Sequence, residues 1–152
     1  MSVFSSMRTS ASGLTSQRLR MDVISNNIAN AETTRTAEGG AYRRQEVVFS
    51  PNQVGQVPFI DLLRGDAKAG NVPGVNTEGV QPQGIVEDKA PMRRVYDPGH
   101  PDAGPDGYVE YPNVNIVTEM TDMLSATRSY EANVTVFNSV KQMAQRALDI
   151  GR

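Results

Sequence analysis

The distribution of proline and glycine constrains this chain more than any other feature. Residues 1–33 hold one glycine and no proline, residues 34–113 hold all 9 prolines and most of the 13 glycines, and residues 114–150 hold neither. Proline removes a backbone donor and breaks a helix interior, and glycine weakens one by about 1 kcal/mol relative to alanine. Both ends are therefore free to be helical and the middle is not. The expected fold class is α+β: long N- and C-terminal helices forming a coiled-coil-like unit, with a small, mainly antiparallel β module between them. The expected divisions are 1–33, 34–113 and 114–152.

The C-terminal zone has the clearest periodicity. A 4-3 spacing from Ile116 runs through Met120, Met123, Thr127, Tyr130, Val134, Phe137, Lys141, Ala144 and Leu148, and most of these positions are apolar or aromatic. Asn115 is placed to cap this helix, Glu119 lies in its first turn where the dipole favours an acid, and Gly151 falls where a left-handed cap belongs. In the N-terminal zone Met7, Leu14, Met21 and Ile28 recur seven apart, with Arg8, Arg18, Arg20 and Asp22 on the other face. Its many hydroxyl side chains and Gly13 make this helix weak on its own. Asn26, Asn27 and Asn30 compete with the helical backbone through their amides, so the helix should end there. Those amides can cap the last carbonyls or bridge to a neighbouring subunit. A C-terminal helix of about 50 Å exceeds the roughly 30 Å diameter of a domain this size, so much of each stripe must pack on another helix or chain.

Between the helices, residues 42–49, 57–63, 84–88, 92–96 and 108–114 read as short strands bounded by Gly, Pro, Asn and Asp. Residues 64–83 read as a long loop or extended hairpin.

Composition excludes several function classes. Hydrophobic residues make up 38% of 152 residues, below the usual 45–50%, so the core is small or partners complete it. With 15 Lys+Arg against 17 Asp+Glu and no basic run, nucleic acid is not an expected partner. Zero cysteines remove disulfides, thiolate metal sites and cysteine nucleophiles together. No run of 18 apolar residues is present, so the chain is not expected to be membrane-embedded, and residues 1–16 lack the apolar core of a cleaved secretion signal.

The most enzyme-like stretch is 97–110, which gathers the single histidine, His100, with Asp97, Asp102, Asp106 and Glu110. A metal-dependent hydrolase built on His100, Asp97 and Asp102 is the catalytic alternative. The stretch matches no calcium-loop spacing, and its prolines and glycines read as a succession of tight turns. No nucleophile elbow, phosphate loop or dinucleotide glycine pattern occurs, so no catalytic residue, cofactor or metal is expected.

The residues Ser12, Gly13 and Leu14, followed by Asn26, Asn27, Ile28, Ala29, Asn30 and Thr33, resemble the N-terminal signature of the flagellar axial family of rod, hook and hook-associated proteins. Glu131, Ala132 and Asn133 within the C-terminal helix resemble the other half of that signature. Residues 96–102, 107–109 and 111–115 are similar to the proximal rod members of the family. Distal rod and hook members generally carry a longer middle region than 34–113, and they are the nearer alternative. The resemblance implies a structural, non-catalytic subunit whose terminal helices stack around a central channel, with the middle module outward. It implies intersubunit packing through Met7, Leu14, Met21, Ile28, Ile116, Met120, Met123, Tyr130, Val134, Phe137 and Leu148. The implied partners are further copies, other rod proteins and the export apparatus, and the implied location is a basal body spanning the periplasm, reached without a cleaved signal.

Overall fold

The computed structural model describes residues 3–37, 39–54 and 76–150. Two long helices flank two small antiparallel sheets, in the order α1 (Val3–Ala29), β1 (Gln45–Val54), β2 (Asn76–Glu87), β3 (Arg93–Tyr96), β4 (Tyr108–Tyr111) and α2 (Ile116–Ile150). The α+β class and the terminal helices follow the proline-free zones. The expected strand at 57–63, the stretch 64–75 and Gly151 lie outside the described residues.

The hydroxyl-rich sequence of α1 stays helical because its side chains bond backward along their own helix. Ser12 Oγ donates to the Thr9 carbonyl at 2.7 Å and Thr15 Oγ1 to that of Ala11 at 3.1 Å. The helix stops within its asparagine run. The Asn30 backbone N–H and its side-chain Nδ2 both donate to the Asn26 carbonyl, at 3.0 and 2.9 Å, satisfying an oxygen the helix end would otherwise orphan. At the start of α2, Asn115 Oδ1 accepts from the N–H groups of Val117 and Thr118 at 3.1 and 3.5 Å, a side-chain cap.

The helices pack antiparallel. Asn27 meets Glu119, Arg20 lies 3.6 Å from Asp122, Thr127 Oγ1 donates to the Met123 carbonyl at 2.8 Å and lies 3.6 Å from Met21 Sδ, and Gly13 faces Asn133, so α1 runs from Gly13 to Asn27 as α2 runs back from Asn133 to Glu119. Beyond Val140, residues 141–149 of α2 are exposed apart from half-buried Ala144.

β1 and β2 form a ribbon from Gln45↔Glu87 to Val54↔Asn76, with irregularities at Val48/Phe49 and Pro51/Gln53. Residues 76–83, within the stretch expected as a long loop or extended hairpin, are strand. Glycine and proline obscured the pattern, and a two-stranded ribbon tolerates them because each strand keeps one unpaired edge where a proline needs no N–H. β3 and β4 pair from Arg93↔Tyr111 to Tyr96↔Tyr108. Arg93 stacks over Tyr111 on one face and Arg94 over Tyr108 on the other, each 5.1 Å from the ring centre, and Val109 is buried.

The core is small, as the composition implied. Among the described residues its apolar members are Val23, Ile24, Ala31, Val47, Val109, Ala126 and Val140, and four polar side chains, Ser10, Ser16, Asn27 and Glu119, are buried with them.

Candidate assembly faces and their buried joint

Three parts of the chain meet at one fully hydrogen-bonded polar joint. Asn27 Nδ2 donates to the Gln45 carbonyl at 2.8 Å and to Glu119 Oε2 at 3.0 Å, while its Oδ1 accepts from the Gln45 N–H at 3.0 Å and the Tyr42 hydroxyl at 2.9 Å. The amide thereby satisfies both backbone groups of Gln45, as a neighbouring strand would, and fills its own bonding capacity. Glu119 Oε1 accepts from Arg44 Nε at 2.6 Å, and Asn27 and Glu119 are both 0% exposed. A buried carboxylate is tolerated only when paired and hydrogen-bonded, and both conditions hold here.

Arg44 also approaches Glu46 at 3.6 Å, Asp122 at 3.8 Å and Asp88 at 3.9 Å. Its hydrogen bond to Glu119 raises its pKa above the ordinary arginine value, against an opposing effect of burial. Burial raises the Tyr42 pKa, and the charges of Glu119 and Glu87 add to the rise. Asn113 steadies the joint from behind. Its Oδ1 accepts from the Arg44 N–H at 2.9 Å and its Nδ2 donates to the carbonyls of Asp88 and Ala90 at 3.4 and 3.3 Å.

A second docking point holds α1 on the ribbon. Gly79 adopts φ +84°, and the following N–H, that of Val80, donates to Ser12 Oγ at 3.1 Å, while Ser16 Oγ donates to the Val80 carbonyl at 3.5 Å. A Cβ on Gly79 would collide with the Ser12 side chain.

The signature residues therefore divide by role. Asn27 lies at the joint, Ser12 at the ribbon, and Gly13 lets the Asn133 amide lie against α1, since a Cβ there would sit 2.9 Å from Asn133 Nδ2. Thr33 Oγ1 donates to Asn30 Oδ1 at 3.2 Å, so these two shape the turn. Ala29 and Asn26 are exposed and Leu14 and Ile28 half-buried. The two halves of the signature, far apart in sequence, meet where Gly13 touches Asn133.

Of the stripe residues, Met7, Leu14, Met21, Ile28, Met123, Tyr130, Val134 and Phe137 are half-buried within the chain, whereas Ile116, Met120 and Leu148 are exposed. Sequence reasoning missed Tyr42 and Arg44 entirely and treated Glu119 as a first-turn dipole partner. Exposed apolar side chains cluster at the start of α2, with Val117 at 73%, Met120 at 60% and Leu124 at 53% exposure. At 100° per residue these three share one side of the helix. Beside them opens a groove whose lining mixes Pro91, Val114 and Ile116 with Glu32, Arg93 and Asn113.

The histidine stretch is turn structure. His100 Nδ1 accepts from the Asp102 N–H at 3.1 Å, Asp97 Oδ1 accepts from the Gly99 N–H at 3.1 Å, and Asp102 accepts from Thr34 Oγ1 at 2.8 Å. Among the described residues no group of three His, Asp or Glu side chains is arranged to hold a metal ion, and no helix is long and apolar enough to cross a membrane.

Residues 7–35 match the family model described as flagella basal body rod protein, and residues 106–150 match that of the flagellar basal body rod FlgEFG protein C-terminal region. The chain is similar to the flagellar basal-body rod protein FlgC of Borreliella burgdorferi, at 50% identity over 99% of this chain and 98% of that protein. It is 43% identical to the Bacillus subtilis protein of the same name, with both chains covered completely, and 38% identical to that of Salmonella typhimurium, covering 93% and 92%. Identity at this level across the whole length, with the signature residues occupying the joint and the helix contact, establishes that the chain belongs to the FlgC family of flagellar basal-body rod proteins.

Proposed function

We propose that this structural, non-enzymatic subunit of the basal-body rod polymerises, in the proximal part of the rod, through helix faces that its own fold leaves uncovered. The observation that carries the reading is the apolar line Val117, Met120 and Leu124 on α2, which more than half exposes each side chain to solvent. Burying such side chains contributes about 1.5–3 kcal/mol each, enough for neighbouring copies and other rod proteins to hold one another once the ordering cost is met. The C-terminal end of α2, with Met143 and Leu148 exposed, offers a further surface at the opposite pole of the helix. A subunit with different apolar surfaces at its two ends suits head-to-tail stacking, which generates an open helical assembly rather than a closed dimer.

In this account the helices line the export channel and the β ribbons face outward, so that torque passes through the antiparallel helix pair. The stripe residues half-buried within the chain, Met123, Tyr130, Val134 and Phe137 among them, support the helix pair, while Ile116, Met120 and Leu148 meet neighbours. Export through the flagellar type III apparatus without a cleaved signal, and a final position across the periplasm, complete the reading. The test is complementation: cells lacking their own rod protein of this family should regain motility with this chain and lose it again with Leu124→Asp. Motility unchanged by Leu124→Asp would remove that residue, and the stripe it centres, from the assembly surface.

A further inference from the structure

We infer that the entry to β1, residues 42–45, is a latch that makes docking of α1 on α2 conditional on the β module. Asn27 and Glu119 are fully buried at the helix contact, yet they do not satisfy each other. Their one mutual bond leaves the second N–H of Asn27, its oxygen, and one oxygen of Glu119 without partners. All three are satisfied from β1's entry, through the Gln45 backbone, the Tyr42 hydroxyl and Arg44 Nε. A helix pair closing without that segment buries a carboxylate with no cation and an amide with half its bonds unmade, which strongly disfavours closure. With the segment in place, closure buries a complete network.

The rest of the contact cannot replace these partners. Val23, Ile24, Ala126 and Val140 bury apolar surface on the two helices but offer no side-chain donor or acceptor to Asn27 or Glu119, and the Arg20–Asp122 pair is solvent-exposed in part, so it contributes little. Asp122 is itself shared with Arg44. The N-terminal helix thus acquires its seat from residues 15–18 positions downstream and about 90 positions downstream at once, and neither suffices alone. This latch is a property of the single chain and stands or falls separately from the assembly account.

Hydrogen exchange of the full-length monomer, read by mass spectrometry, tests the latch, with the β3–β4 ribbon as internal reference. Arg44→Met should lower protection of α1 amides around residues 20–28 at least tenfold while the reference changes less than twofold. In a Glu119→Leu background, Arg44→Met should produce little further loss in α1, because the carboxylate through which Arg44 acts is already gone. Tyr42→Phe keeps the ion pair and decides the matter if Arg44→Met does not fold: α1 protection should drop about threefold or more around Asn27 alone. The latch is overturned if α1 protection stays within twofold of the parent in the folded variants, or if the Arg44→Met and Glu119→Leu losses multiply in the double variant.

Discussion

Asn27 Nδ2 and Glu119 Oε2 meet at 3.0 Å across the helix contact, with both side chains completely buried. An amide is the only side chain of this length that can donate to the carboxylate while also pairing with both backbone groups of Gln45. Asn27→Asp replaces the donors with a second carboxylate facing Glu119 and should destabilise the fold by about 3–5 kcal/mol. Asn27→Leu leaves the surrounding groups unsatisfied without adding charge, and should cost about 1–3 kcal/mol. Urea denaturation of the monomer measures both. An Asp variant as stable as the Leu variant would contradict the geometry of the joint.

Gly79→Ala should lose about 2 kcal/mol or more. At φ +84° an L side chain is strained by roughly 1–2 kcal/mol, and its Cβ would force Ser12 off the Val80 N–H. Removing the obstacle in Gly79→Ala/Ser12→Ala should make the pair less damaging than the sum of the singles. Denaturation midpoints of the four chains in the cycle report the coupling.

Gly13 gives a contrasting expectation. The atom nearest a new Cβ is the Asn133 amide nitrogen at 2.9 Å, the end of a side chain that can swing aside. Gly13→Ala gains about 1 kcal/mol of helix propensity and should come out within about 1 kcal/mol of the parent. Gly13→Val cannot be accommodated by one rotamer change and should destabilise by about 1–3 kcal/mol through overpacking. Thermal unfolding of the two variants distinguishes them.

The helices, the asparagine run as the end of α1 and the Asn115 cap were legible because proline, glycine and short polar side chains act locally. The line of helix contact was not. The apolar stripe begins at Ile116 and Met120, which are exposed, and reaches half-buried Tyr130 and Phe137 about three to six turns later. The buried residues repeat at the same seven-residue spacing three positions further on, so contact and stripe keep a constant offset of about 60° around the helix. The buried line itself runs through Glu119, Ala126 and Val140, with Asn133 against Gly13 between them. Two of those four side chains are polar and one is a methyl group, so hydrophobic periodicity passes over them. Arg44 and Tyr42 carried no pattern at all, since their role depends on a meeting of segments remote in sequence.

Tyr42 should make the fold sensitive to alkali. Its folded pKa is raised above the unfolded value of about 10 by burial and by the charges of Glu119 and Glu87, so the folded state holds the phenolic proton more tightly. The associated stability is fully present below pH 10 and is lost as pH rises through the folded pKa. Between pH 9 and 12 the parent should therefore lose stability more steeply than Tyr42→Phe, which has no proton to release. Denaturation midpoints across that range measure the difference, and parallel slopes would show that the hydroxyl is not held in the joint.

Whether the uncovered face of α2 builds the rod is tested most directly by the content of purified basal bodies. Met120 is 60% exposed, so Met120→Asp should change monomer stability by less than about 0.5 kcal/mol, and a defect in it reports assembly instead of folding. Ile28→Asp, at a half-buried position, would confound the two. In cells whose only rod protein of this family is the test chain, secreted and incorporated protein are quantified side by side by mass spectrometry. The account predicts that the parent chain is present in the rod and that Met120→Asp is secreted normally but missing from it. Incorporation of Met120→Asp at the parental level would contradict the account.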